Sequence, residues 1–270
     1  MALDLDDTLL RSDLSISHRT RKAIKRVLAA GITVVLASGR IPQAMDRFSR
    51  LLGLDKRASY LISNNGALVQ ESQTGNIVHE ARLEPRMALA VCNLADAEGF
   101  AVQMYEAGTM YVSRKNEYST IDQKLTGLHQ VVVENFRDLI GKGCYKLIIP
   151  GDPMLLVPLE SLLRTYLGKY ITLFTSRPYF LEIIPPATDK GTALAKIAEI
   201  LGVKADETMA IGDSMNDEAM IRWAGTGVAM ANADDRIKSI ADLVAEHTNE
   251  EDGVAEIIDR YLFGRKQTND

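Results

Sequence analysis

No apolar run in this chain of 270 residues approaches the roughly twenty that a bilayer crossing needs. Nor does the N-terminus show a charged head followed by a long apolar stretch, so membrane and secreted classes are disfavoured. Cysteine is scarce: Cys92 and Cys144 stand far apart in mainly apolar surroundings. That excludes a disulfide framework or a paired-cysteine metal site and predicts buried free thiols in a reducing, cytoplasmic compartment. The four histidines, His18, His79, His129 and His247, show no metal-ligand spacing, and Ser38 has no evident histidine partner for serine-hydrolase chemistry. Positive charge is thin as well. The formal net charge is −5, with no dense basic block before the short tail Arg265-Lys266, which argues against nucleic acid or an anionic membrane as partner. What is present is 46% hydrophobic residues, enough for one large domain or two modest ones.

From Met1 to Ser63 short apolar strands alternate with amphipathic helices. The pattern predicts a strand over Met1–Leu5, a helix from about Ser17, a strand over Thr33–Ala37, a helix from Pro42 and a strand over Tyr60–Ser63, a parallel α/β rhythm. Ser17 is the expected N-cap of the first helix; Ala23, Ile24, Val27 and Leu28 form its apolar face, and Gly31 stops it. Between about Arg82 and Ile184 the rhythm changes. Phe100–Tyr105, Gly108 and Thr109–Val112 read as a hairpin, and antiparallel strands with helices on one face are expected. The parallel rhythm resumes after Pro185-Pro186 with a helix from Gly191 to Gly202, a strand over Thr208–Ile211, a short helix to Ala224, a strand over Thr226–Ala229 and a last helix over Val254–Leu262; Gly264–Asp270 is expected to fray. The middle block is thus an insertion into one α/β domain. The predicted division is 1–81, 82–185 and 186–270, with stiff linkers at Glu80–Pro85 and Pro185-Pro186.

Four segments carry chemistry. Asp4-Leu5-Asp6-Asp7-Thr8-Leu9 places two carboxylates two residues apart where a strand ends, either as a poised pair or as ordinary acids at a strand terminus. Ala37-Ser38-Gly39-Arg40 offers a hydroxyl and turn amides that cradle an anion or simply make the turn. Asp189-Lys190-Gly191 opens a helix with an ammonium that is either solvated or set near backbone donors. In Gly212-Asp213-Ser214-Met215-Asn216-Asp217 two acids and an amide follow an apolar strand, where packing gives no reason to gather them. All four segments fall at carboxyl ends of expected strands, where ligands of open α/β sheets collect. Pooled, they supply three or four hard oxygen ligands, a hydroxyl, an ammonium and several amides, a set suited to Mg²⁺ with a phosphoryl group. Bare carboxylates repel a phosphate dianion; a divalent ion between them reverses the local sign, and Lys190 adds to it.

The ordered set Asp-x-Asp-x-Thr, Ser-Gly-Arg, Lys-Gly and Gly-Asp-Ser-x-Asn-Asp resembles the haloacid dehalogenase superfamily of phosphohydrolases. The large insertion, Ser63-Asn64-Asn65-Gly66-Ala67 and Leu181-Glu182-Ile183-Ile184-Pro185-Pro186 resemble its Cof-type branch, subfamily IIB. The resemblance implies a Rossmann-like parallel-sheet core with an inserted α/β cap hinged over it. It also implies a Mg²⁺-dependent phosphatase acting on a small phosphorylated metabolite. Asp4 is then the nucleophile that forms an aspartyl-phosphate, and Asp6 the general acid and base. Asp4, the backbone carbonyl of Asp6 and Asp213 hold the metal, with Asp217 acting through water or through hydrogen bonds to those ligands. Ser38, Gly39, Lys190 and Asn216 contact phosphoryl oxygens, and Thr8, Arg40 and Asn65 are neighbours of the site.

Two features depart from the family pattern. Asp7 stands where many relatives carry glycine, and only Met1-Ala2-Leu3 precede Asp4, so a native start different from Met1 is expected. Phosphomutase-type transfer and a catalytically weak phosphate-metabolite-binding protein are the alternatives. The enzyme is expected to be a monomer or a small homo-oligomer. Within the cap, Lys146, Arg177 and Glu182 either face the cleft or, as is commoner for such residues, are ordinary surface charges.

Overall fold

The computed structural model describes residues 1–264. The first stretch contains β1 (Ala2–Asp4), α1 (His18–Ala29), β2 (Val35–Ala37), α2 (Pro42–Leu52), β3 (Tyr60–Ser63), β4 (Leu68–Glu71) and β5 (Ile77–Glu80). The middle stretch contains α3 (Pro85–Ala97), β6 (Gln103–Glu106), β7 (Thr109–Val112), α4 (Glu117–Thr126), β8 (His129–Val132), α5 (Phe136–Leu139), β9 (Leu147–Pro150), α6 (Pro153–Leu167), β10 (Thr172–Arg177) and β11 (Phe180–Ile184). The last contains α7 (Lys190–Leu201), β12 (Met209–Gly212), α8 (Glu218–Trp223), β13 (Thr226–Ala229), α9 (Asp235–Ile240), β14 (Leu243–Val244) and α10 (Gly253–Ile257). Two units result, Met1–His79 with the chain from Asp189 onward, and Glu80–Thr188.

In the first unit the strand order is β14-β13-β12-β1-β2-β3-β4-β5. Pairing is parallel from β14 to β3 and antiparallel between β3 and β4. β1 lies at the switch point, with β12 on one side and β2 on the other, so loops from both chain halves meet beyond its carboxyl end. The local causes are legible in α1. The Ser17 hydroxyl accepts from the Thr20 amide, and Ala23, Ile24, Val27 and Leu28 are buried against the sheet. Each such aliphatic side chain contributes about 1.5–3 kcal/mol, or roughly half of that for alanine. α2 starts with Pro42 in its first turn and ends on Gly53 in the left-handed region, a stop that a Cβ would resist.

The second unit has strand order β10-β11-β9-β6-β7-β8, antiparallel from β10 through β7 and parallel between β7 and β8. Leu147, Ile149, Leu181 and Ile183 alternate onto one face and join α3 and α6 in an apolar cluster. The expectation of helices on one face is corrected here. Asp122 of α4 accepts from Gln103 and Tyr105, whose side chains alternate with Met104 of that cluster, so α4 covers the opposite face. The reason is the parallel β7-α4-β8 crossover, which a helix completes by passing over a face.

Several bounds shift. β1 ends at Asp4 because Leu5 already belongs to the turn, β2 begins only at Val35, β6 starts at Gln103, and β12 covers Met209–Gly212. The last helix begins at Gly253 and widens into a π-type turn over Ile258–Leu262. The fraying expected of Gly264–Asp270 concerns residues 265–270, which lie outside the described residues. No helix among the described residues is long and apolar enough to cross a membrane.

Cys92 and Cys144 are both buried free thiols, and burial pushes each up to about 12. Since the thiolate is the reactive form, the native protein at about pH 8 is expected to leave both unlabelled by an aryl disulfide reagent, while denaturant exposes both. Fast labelling of the native chain would contradict the burial of these side chains.

Candidate active site

β1 delivers Asp4 to the centre of the first unit and then breaks. Asp6 keeps an extended backbone, Asp7 turns left-handed at φ 57°, and the Leu10 amide closes the turn on the Leu5 carbonyl at 2.8 Å. An aspartate tolerates that region better than most side chains, though less well than glycine. The Asp7 carboxylate is exposed, so the turn accommodates the side chain without a clash in the interior.

Asp4 is buried, and one of its oxygens accepts from Lys190 Nζ at 2.5 Å; the other makes no hydrogen bond among the described residues. Lys190, the first residue of α7, is fully buried, and its ammonium also reaches Asp217 Oδ1 at 2.6 Å. Asp217 Oδ2 accepts from the amides of Asp213 at 3.0 Å and Ser214 at 3.1 Å. Asp213 in turn accepts from the hydroxyls of Thr8 at 2.8 Å and Ser214 at 2.6 Å. Gly212 is required here, because a Cβ would collide with the Asp217 carboxyl. Oxygens of Asp4, Asp213 and Asp217 all lie within 4.8 Å of one another.

Three buried carboxylates face one ammonium. Burial and the neighbouring Asp217 push the Asp4 carboxyl well above the usual carboxylate range, against the pull of Lys190. Burial and Asp217 likewise push Asp213 up to about 6. Burial alone would lower Lys190, but Asp217 and Asp4 reverse this and hold it above the ordinary lysine value. Ionised together, the three carboxylates would outweigh the one ammonium in a poorly solvated place, which is why Asp4 and Asp213 hold their protons more firmly than usual. Three carboxylates gathered around one ammonium suit a divalent, oxygen-seeking cation such as Mg²⁺. Both oxygens of Asp213 and both of Asp217 accept hydrogen bonds, whereas Asp4 has one oxygen without a hydrogen bond among the described residues.

A second group forms beyond β2 and β3. The Ser38 amide donates to the Ile62 carbonyl at 2.8 Å, the Asn65 amide to the Ser38 carbonyl at 3.0 Å, and the Arg40 amide to the Ser38 hydroxyl at 3.1 Å. Asn216 Nδ2 donates to Asn65 Oδ1 at 3.0 Å, and Gly39 packs against that same Asn65 amide. Gly66, at φ 105°, has no room for a Cβ beside the Asp189 carbonyl, so its smallness lets the β3 loop meet the start of α7. Ser38, Gly39, Asn65 and Asn216 are thus gathered, with polar groups and little charge.

Asp6 does not join the acid cluster with its carboxylate. Arg40 grips it in a two-pronged pair, Nε to Oδ2 at 2.8 Å and Nη2 to Oδ1 at 2.5 Å, and Asp6 raises the Arg40 pKa above its ordinary value. Sequence reasoning placed Arg40 near the site without this partner, because the pairing depends on how the turn at Asp7 aims Asp6. It missed Ser214, which a hydroxyl beside two acids could have signalled, and Asn232, which no local pattern marks. His247 bonds Glu256 at 3.1 Å instead of any residue of this cluster.

The haloacid dehalogenase-like hydrolase family matches residues 1–258. The 5-amino-6-(5-phospho-D-ribitylamino)uracil phosphatase YcsE of Bacillus subtilis is 31% identical over 263 residues, 97% of this chain and 95% of that protein. A haloacid dehalogenase-like hydrolase from Bacteroides thetaiotaomicron superposes with a TM-score of 0.89 at 33% identity, over 96% of this chain and 97% of that one. A subclass IIB sugar phosphatase of the same superfamily shares the fold at a TM-score of 0.82 and 23% identity, over 97% of this chain and 98% of its own. Three motifs follow the core strands β1, β2 and β12, while the Lys-Gly motif, expected at a strand end, instead opens α7 after the inserted sheet; with all four in order, this chain belongs to the haloacid dehalogenase-like hydrolases.

Proposed function

We propose that this enzyme hydrolyses small organic phosphate monoesters, sugar phosphates or similar metabolites, with Mg²⁺ and through an aspartyl-phosphate on Asp4. One observation carries the reading: a fully buried ammonium set among three buried carboxylates, with one oxygen of the first acid left without a hydrogen bond among the described residues. Relatives named as phosphatases of phosphorylated metabolites support it. Asp4, Asp213 and the Asp6 backbone carbonyl would hold the metal, which when bound would supply positive charge to draw and polarise the phosphoryl group. Asp217 keeps Lys190 and the Asp213 and Ser214 amides in place.

In this reading Asp4 attacks phosphorus while Lys190, Asn216, Ser38 and the Gly39 backbone take the phosphoryl oxygens. Asp6 protonates the departing alcohol and then takes a proton from the water that cleaves the acyl phosphate. Before that, Asp6 must give up part of its pair with Arg40 and take a proton from solvent; an arriving phosphate that competes for the guanidinium and adds negative charge nearby favours both. The proposed domain division is a core of 1–81 and 186–270 around a cap of 82–185. A panel of phosphorylated metabolites with one aryl phosphate, assayed with Mg²⁺ or with a chelator, tests the assignment. Turnover that depends on Mg²⁺ is expected; hydrolysis indifferent to chelation would overturn it.

A further inference from the structure

We propose that Asn232 and Asn249 form one clamp that positions the Leu5–Leu9 turn, and with it Asp6, for the reaction; this rests on the phosphatase reading above. Asn232 lies in the loop after β13, and Asn249 opens a short helical turn over Asn249–Glu251. Asn232 Nδ2 donates to the Asp7 carbonyl at 2.7 Å. Its Oδ1 accepts from the Asn249 amide at 3.1 Å, and Asn249 Nδ2 donates to the Leu10 carbonyl at 2.9 Å. A single hydrogen-bonded bridge therefore holds the turn at two carbonyls, one on each side of Thr8 and Leu9.

The place held is the one under strain. Asp7 sits at φ 57°, a conformation that costs a residue with a side chain roughly 1 kcal/mol or more and persists only where its surroundings enforce it. Rotation of the peptides around Asp7 would relieve that cost. It would also swing the Asp6 carboxylate away from its place and pull the Thr8 hydroxyl from Asp213, which it meets at 2.8 Å. The asparagines contribute little to the fold as a whole. Asn232 is exposed, and the next stretch is anchored separately by the Ser12 amide on Glu250 at 2.6 Å and Arg11 on Asp252 at 3.0 Å. Loss of the clamp should then be felt in the geometry of the turn more than in global stability. Both side chains are positioning residues.

The test uses Asn232→Ala, Asn249→Ala and the double variant of the full-length protein, with aryl phosphate turnover in Mg²⁺, thermal unfolding, and amide hydrogen exchange over residues 1–10 in metal-free protein. Each single variant is expected to lose at least about tenfold in kcat with KM within about threefold of wild type, because the loss falls on the reacting geometry. The double variant should lose little more than the worse single, as expected for two parts of one bridge. Exchange across the turn should speed by about tenfold while the thermal midpoint moves by less than about 4 °C. Wild-type kcat in Asn232→Ala, unchanged exchange, or a kcat loss explained by melting would overturn the clamp. If the wild-type protein turns over no phosphate ester, the phosphatase reading fails instead, and the exchange measurement still decides whether the asparagines hold the turn.

Discussion

Lys190→Met is expected to unfold far more easily than the wild-type protein in chelator at neutral pH. The substitution keeps the bulk of the side chain but leaves Asp4, Asp213 and Asp217 buried together with no cation. Breaking a buried pair by removing one partner costs about 3–5 kcal/mol, which for a chain of this size lowers the thermal midpoint by about 10 °C. The pH dependence follows from the raised Asp4 and Asp213 carboxyls. A folded-state pKa above the unfolded value means that the folded protein binds more protons, so stability is highest in acid and falls as pH rises through the folded pKa. Lys190 pulls the Asp4 carboxyl down, so its loss lets that carboxyl rise further, and the variant's deficit should shrink toward acid pH. Added Mg²⁺ should recover part of it at neutral pH, since it replaces the lost positive charge and binds only the folded state. Equal stability of variant and wild type in chelator at neutral pH would show that these acids are not held as charges, and the argument for a metal there would fall.

Asp4→Asn should abolish turnover while sparing the fold. The amide matches the carboxylate in shape but is a poor nucleophile and a weaker ligand, so kcat should drop by about four orders of magnitude or more. Stability should hold or rise, because one of three crowded negative charges is gone while Lys190 keeps Asp217. Asp6→Asn is expected to be less severe, losing about 10²–10⁴ as befits a proton shuttle, and to retain the power to be phosphorylated on Asp4. Phosphate trapping on the acid-quenched protein separates the two variants. An active Asp4→Asn enzyme beside a dead Asp6→Asn would reverse the assigned roles.

Much of the core was legible because its signals are local. Ser17, the apolar spacing of α1, Pro42, and the short β-rich runs at Tyr60–Ser63 and Thr226–Ala229 each act within a few residues, and the elements formed where those signals lie. The β4 and β5 strands were not legible. Leu68-Val69-Gln70-Glu71 and Ile77-Val78-His79-Glu80 pair two apolar residues with two polar ones, a pattern without period-two alternation, and sheet pairing supplies what propensity lacks. In the site, the acid cluster could be expected from residue types and strand ends. The Arg40–Asp6 pair and the Asn232 contact could not, since both depend on the direction the chain takes at one left-handed aspartate.

The position of β1 between β2 and β12 has a consequence for how the enzyme comes into being. A chain synthesised through about its first 180 residues already holds Asp4, Asp6 and the Ser38-Gly39-Arg40 turn, but none of Lys190, Asp213, Asn216 and Asp217. The slot beside the first strand stays open until the last third of the polypeptide emerges and docks, a late and long-range closure. A chain cut before that point lacks Lys190, Asp213 and Asp217 and would not assemble the acid cluster around Asp4.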